Sequence, residues 1–184
     1  MQATDELKKE HHGIELMLNI LQSVSTRLDQ GQQVAPDHLS GIMEFLTVFV
    51  DKCHHGKEEE FLFPALEAAG VPREGGPIGV MLKEHEKGRV LVSRLKGALA
   101  ALQSGAVSNE AGVQAIVGEY VTLLSQHIVK ENTVLFPMAD EKLDANSDIE
   151  LIEAFERLEK ERIGVGKHGE FHALLHRLQD EYLD

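Results

Sequence analysis

The chain has 184 residues, enough for one domain with a sizeable core, and a formal net charge of −13. That charge argues against a nucleic-acid or anionic-membrane surface, which depends on clustered Lys and Arg. One cysteine, Cys53, excludes an internal disulfide framework and fits a reducing compartment. The opening "MQATDELKKE" has no apolar run, so no signal peptide is expected, and no uninterrupted apolar segment is long enough to span a bilayer. A cytoplasmic location is the expectation.

Apolar residues recur at helical spacing almost throughout, with no alternating strand run. A first helix is predicted over about residues 4–29, with Thr4 or Asp5 as its cap and Gly31 just past its end. A second starts at Pro36, a first-turn residue, and runs to about 63–69. The Gly/Pro-rich "AAGVPREGGP" (68–77) connects it to a third, about 77–103, which stops at Ser104-Gly105. A fourth opens at Ser108 or Asn109 and reaches about 136. The polar "DEKLDANSD" reads as a linker. A last helix covers about 148–162, breaks at "IGVG" and resumes to 182.

The chain repeats itself. "HHGKEEEFLFP" (54–64) and "HIVKENTVLFP" (127–137) share six residues of eleven at an offset of 73. "KEHHG" (9–13) resembles "KEHEK" (83–87) at an offset of 74. Two related helical hairpins are therefore expected to pack about a pseudo-twofold axis. The fold class is all-α: an up-down-up-down four-helix bundle over residues 1–144, with a helical extension over 145–184 packing on the bundle or on a partner.

Helical geometry sorts the ten histidines. His11 lies on the Leu7–Ile14–Leu18 stripe. On the second helix Met43, Thr47 and Val50 share a face with His54, Glu58 and Phe61, while His55 and Glu59 point a quarter-turn outward. His85 joins Ile78, Met81, Val92 and Leu99. His127 and Glu131 join Ile116, Tyr120, Leu123 and Val134. His12, His38 and His55 read as outward, and "KEEE" (57–60) as a solvated charge run apart from Glu58. A lone histidine on an apolar face is ordinarily a hydrogen-bonded core residue. Four of them with two inward carboxylates are different, because a buried carboxylate costs several kcal/mol without a compensating cation. Arg89 is one candidate protein cation, but it does not account for a duplicated pattern, whereas a metal pair does. Imidazole nitrogen and carboxylate oxygen suit iron, manganese or zinc. Four imidazoles and two carboxylates exceed one tetrahedral zinc site and fit two octahedral ions. Pro64 and Pro137 are expected to kink or end their helices a turn beyond the glutamates.

These residues carry a resemblance. His11, His54-x-x-x-Glu58, His85 and His127-x-x-x-Glu131, with "CHHGKEE", "MLKEHEKGR" and the two Phe-Pro pairs, resemble the hemerythrin-like, HHE cation-binding family over about residues 5–140. The resemblance implies a four-helix bundle holding two non-haem iron ions, oxo- or hydroxo-bridged. His11, His54, His85 and His127 would be terminal ligands, and Glu58 and Glu131 would bridge. Oxygen-carrying hemerythrins have a His-x-x-x-His pair on the third helix; here His85 has Arg89 at +4 and Met81 at −4. The pattern is closer to members linked to peroxide, nitric oxide or iron-level responses. Glu15, at +4 from His11, is a candidate extra oxygen ligand.

The implied function is binding or reduction of a small oxidant (dioxygen, peroxide or nitric oxide), including peroxide- or nitric-oxide-consuming oxidoreductase chemistry. A non-catalytic iron, oxygen or redox sensor, or an iron-binding module, is the alternative. A purely structural acidic helical module is the third reading. Cys53 reads as a buried, inert thiol rather than a redox group, and Tyr120 as a packed aromatic or a hydrogen-bond donor toward the centre. The stripe His168, His172 and His176 flanks the apolar face of the last helix and reads as a packing boundary or subunit contact, a route to homo-oligomers.

Overall fold

The computed structural model describes residues 1–105 and 112–183, and all regular structure among them is helical. Helix α1 is Gln2–Asp29 and α2 is Pro36–Glu44. The chain then continues as π-helix over Phe45–His55 and again over Glu58–Leu62, and ends its second rod as α3, Phe63–Ala68. Helix α4, Pro77–Ser104, is the third rod. Helix α5, Val113–Lys130, a π-helical turn Glu131–Leu135 and α6, Phe136–Lys142, make the fourth. The extension is α7, Ala145–Leu158, a π-helical turn Glu159–Ile163 and α8, Lys167–Tyr182. The four rods form the expected bundle, with α1 and α4 both packed on α5, and α7 and α8 packed on α1.

The ends follow local chemistry. Helix α4 begins with Pro77 in its first turn and stops where Gly105 turns left-handed at φ 68°. The "IGVG" break is built from Gly164 and Gly166, at φ 103° and 88°, which side chains with a Cβ rarely adopt. Helix α1 starts earlier than expected. Met1 caps it, and Thr4 is buried, its hydroxyl donating to Asp140. The expected start at Ser108 or Asn109 lies outside the described residues. The polar linker shrinks to Leu143 and Asp144, because Asp144 caps α7 by accepting from the Ser147 amide.

Neither proline ends its rod. Pro64 and Pro137 each follow a π-helical turn, and the chain stays helical to Ala68 and Lys142. In an α-helix a proline ring clashes with the carbonyl four residues back. Here the preceding turn is wider: the Phe63 and Phe136 amides reach back five residues to the carbonyls of Glu58 and Glu131. The same widening shifts the register, so Leu135 is buried and Val134 stands 49% exposed.

Two apolar clusters fill the bundle. The larger joins Ile14, Leu18, Phe45, Phe49, Leu95, Ile116 and Tyr120 to Phe171, Leu175 and Leu178 of α8. The smaller joins Leu7, Phe63, Met81, Phe136 and Phe155. On each rod a histidine stands between the two: His11 lies between Leu7 and Ile14, and His127 between Leu124 and Leu135. A polar layer therefore crosses an otherwise apolar interior.

Candidate metal centre

The layer holds His11, His54, Glu58, His85, His127 and Glu131, each no more than 1% exposed. Every rod contributes to it, because 73- and 74-residue offsets place equivalent positions at equivalent heights in two related hairpins.

The imidazoles meet in pairs. His11 Nε2 lies 3.1 Å from His54 Nε2, and His85 Nε2 lies 3.0 Å from His127 Nε2. Nitrogens bound at right angles to one ion at about 2.1 Å sit about 3.0 Å apart. The carboxylates span both pairs. Glu131 brings Oε2 within 3.1 Å of His11 and Oε1 within 3.0 Å of His127. Glu58 brings Oε1 within 3.6 Å of His54 and Oε2 within 3.4 Å of His85. None of these approaches is aligned as a hydrogen bond, so all four buried oxygens lack a hydrogen-bond partner. Leaving such oxygens unpaired costs several kcal/mol.

The far nitrogen of every ring is committed. His54 Nδ1 donates to Glu10 (2.8 Å), His85 to Glu59 (2.7 Å), His127 to Glu84 (3.0 Å) and His11 to the Asn132 side-chain oxygen (3.0 Å). All four rings thereby turn Nε2 inward, where each would present a lone pair once that nitrogen is deprotonated. Cations hold these acceptors in turn. Lys57 donates to Glu10 at 2.7 Å, Lys130 contacts Glu84, and Arg89 donates to Glu59 at 2.5 Å. Phe136 stacks on His11 and Phe63 on His85.

The electrostatics call for positive charge. Burial alone would push His54, His85 and His127 down, but the surrounding carboxylates reverse this and raise all three, His127 to about 10. Burial would likewise push Glu131 up, yet His127 and His11 hold it well below the usual carboxylate range. Glu10, despite its burial, is lowered to about 2 by His54 and Lys57. Without another cation the layer is held together by protons on its imidazoles. The donor set, the inward nitrogens and the orphaned oxygens all fit a pair of divalent or trivalent ions.

Several outward assignments are corrected. His55 is 4% exposed, stacked 3.8 Å from the His85 ring, with neither ring nitrogen hydrogen-bonded. Burial, reinforced by the neighbouring imidazoles, holds its pKa well below the usual value, so it is neutral. In a π-helix each residue turns through a smaller angle than in an α-helix, so the adjacent His54 and His55 both face inward. Lys57 is fully buried, not solvated: Glu6, Glu10 and Glu159 surround its ammonium and the Phe155 ring lies 5.3 Å away. Its cover comes from the extension. Glu59 is half-buried on His85, and His38 is half-buried against the Tyr182 hydroxyl.

Glu15 and His12 are exposed. Arg89 neutralises Asp51 and Glu59, not Glu58 or Glu131. Cys53 is fully buried, and burial pushes its thiol up. His168 lies 3.5 Å from Cys53, while His172 and His176 are exposed beside the buried Phe171, Leu174, Leu175 and Leu178 of α8. That apolar face is buried on this chain's own bundle. The signal that exposes the supporting shell is the repeat itself: Glu10 and Glu84, Lys57 and Lys130, and Glu59 and Asn132 all keep the 74- or 73-residue offset.

The chain is similar to an uncharacterised protein of Mycobacterium tuberculosis, 27% identical over 165 residues, covering 88% of this chain and 63% of the relative. It is 32% identical over 117 residues to the iron-sulfur cluster repair protein YtfE of Musicola paradisiaca, covering 61% of this chain and 51% of that protein. YtfE of Salmonella newport is 29% identical over 134 residues, covering 71% of this chain and 60% of the relative. The chain thus spans between about half and two-thirds of the length of these relatives. No solved structure matches. No helix among the described residues is long and apolar enough to cross a membrane. The hemerythrin HHE cation-binding domain model matches residues 2–139, and the chain belongs to that family.

Proposed function

We propose that this is a non-haem di-iron protein that binds or reduces a small oxidant (dioxygen, peroxide or nitric oxide) at an iron pair. His11 and His54 would hold one ion and His85 and His127 the other, with Glu58 and Glu131 bridging. The observation that carries this reading is the pair of buried carboxylates, each reaching both histidine pairs and leaving all four oxygens without a hydrogen bond. Iron is favoured over zinc or manganese by the family and by relatives named for iron-sulfur cluster repair. Two adjacent irons supply a shared electron reservoir and an open position for an oxidant.

The protein's part is orientation and exclusion of water. The Nδ1 acceptors fix each ring, and Lys57, Arg89 and Lys130 keep the three glutamates among them ionised. The two apolar clusters seal the layer above and below. We place residues 1–144 as the iron-binding bundle and 145–184 as its extension, in the cytoplasm.

A second reading, an iron or redox sensor, is favoured by one contact chain. His54 donates to Glu10, Glu10 accepts from Lys57, and Lys57 also donates to Glu159 of the extension at 2.5 Å. Metal occupancy at His54 would then alter how the extension is held.

Protein purified anaerobically after iron supply should carry two irons per chain; a folded, metal-free product would overturn both readings. Peroxide or nitric oxide consumption lost in Glu58→Ala supports the enzyme. Retained iron without turnover, with amide exchange over 159–182 changing on iron loading, supports the sensor.

A further inference from the structure

The repeat makes the two halves of the centre similar but not equal. Position 55 is histidine, and its counterpart 73 residues on is Ile128. His55 therefore adds a fifth buried imidazole on one side only, packed against His85 and near Glu58 and His127, with neither ring nitrogen hydrogen-bonded and Nδ1 3.6 Å from Asp51. Its ring forms the inner wall of a cavity of about 240 Å³ between the π-helical segment Phe45–His55 and α4. Leu46, Val50, Gly88, Val92 and Tyr120 supply an apolar lining. Of the charged groups beside it, Asp51 and Arg89 are paired with each other at 2.8 Å, and Lys96 lies on the exposed part of the lining. Beside His54 the arrangement is different: Lys57, its three carboxylates and the Phe155 ring occupy that space.

We propose that this cavity is the entry route for a small uncharged ligand of diatomic size, and that it delivers the ligand to the His85–His127 side of the centre, where His55 hydrogen-bonds it. The proposal rests on the iron-pair reading for its destination, but not for the cavity itself. A passage lined mainly by apolar side chains admits a gas-like molecule without desolvating a charge. An imidazole whose ring nitrogens make no hydrogen bond within the protein can offer one to a ligand in the cavity.

Xenon pressurisation of the metal-free protein tests the cavity alone. Xenon is expected beside His55 in the native chain and absent in Val92→Trp and Thr47→Trp, which fill the passage from opposite walls at half-buried positions. Stopped-flow binding of nitric oxide to the ferrous, iron-loaded protein tests the route. Both variants should keep two irons and bind at least tenfold more slowly. His55→Leu should keep both irons and the association rate but release nitric oxide at least threefold faster. No xenon at this position, unchanged association in both tryptophan variants, or loss of an iron in His55→Leu would overturn the proposal. A chain that takes up xenon here but no iron would instead overturn the iron-pair reading and leave the cavity established.

Discussion

His54 donates its Nδ1 proton to Glu10 across 2.8 Å, and the repeat reproduces the contact between His127 and Glu84 at 3.0 Å. Each glutamate sits on the rod beside its histidine and one residue before a histidine of its own, so one short segment supplies both a candidate ligand and the support for another. Glu10→Gln and Glu84→Gln should each keep the fold and weaken metal retention about 10- to 100-fold, the usual cost of losing a carboxylate behind a metal-bound imidazole. Chelator competition with metal analysis measures this. Glu15→Gln, at an exposed position, is the control and should change nothing.

On the iron-pair reading, Glu58 and Glu131 would serve metal at the expense of the metal-free fold. Replacing both by leucine removes four buried oxygens without a hydrogen bond, together with the ion pairs they make to the imidazoles, and lets those imidazoles go neutral. The metal-free double variant should be about 1–4 kcal/mol more stable than the metal-free parent, as when other buried ionic groups are replaced by apolar ones. Iron should stabilise the parent and leave the variant's melting temperature unmoved. Thermal unfolding with and without iron decides it; a variant that melts lower without metal would mean the glutamates hold the bundle together on their own.

That these six residues share one buried layer is legible in the sequence because histidine at i and glutamate at i+4 remain on one side of a rod, and because the pattern occurs twice. What the sequence hides has two physical sources. π-Helical geometry turns His55 inward and Val134 outward, and no residue in "FLTVFVDKCHH" announces that the α-helical angle has been abandoned. Long-range cover buries Lys57, since Glu159 and Phe155 arrive from about a hundred residues away. Neither effect is a property of the local segment. The fold class, by contrast, follows from period and punctuation: Pro36, Pro77, Gly105 and the "GVG" break all stand where an element begins or ends.

Metal should displace protons. His127 titrates near 10 in the metal-free protein, raised against its burial by Glu131, Glu84 and Glu58, and His54 and His85 are raised as well. These raised values stabilise the metal-free fold fully below the unfolded histidine pKa, about 6.5, and that stability fades as pH climbs through the folded values. At pH 8 His127 still carries its second proton, so binding ferrous iron must release at least one proton per chain. Calorimetry in two buffers of different ionisation enthalpy reads the number. Apparent affinity should rise with pH; an affinity independent of pH from 6 to 9 would contradict the inward, lone-pair role of these nitrogens.

The repeat gives Lys57 and Lys130 the same task, holding the glutamate behind a histidine, but the extension covers only one of them. Lys57 is fully buried among Glu6, Glu10 and Glu159, whereas the Lys130 side chain is 38% exposed beside Glu84. Removing the buried ammonium leaves carboxylates uncompensated in a poorly hydrated space, and Glu10 also loses the partner that, with His54, keeps it ionised. Lys57→Met should therefore destabilise the chain by about 3–5 kcal/mol, the cost of breaking a buried charge pair from one side. Lys130→Met removes an exposed pair and should cost about 0–1 kcal/mol. Urea unfolding of the two metal-free variants gives the comparison directly. Adding Glu159→Gln to Lys57→Met should recover part of the loss, because one of the stranded carboxylates is then gone. Equal losses in the two lysine variants would show that the extension does not enclose this position in solution.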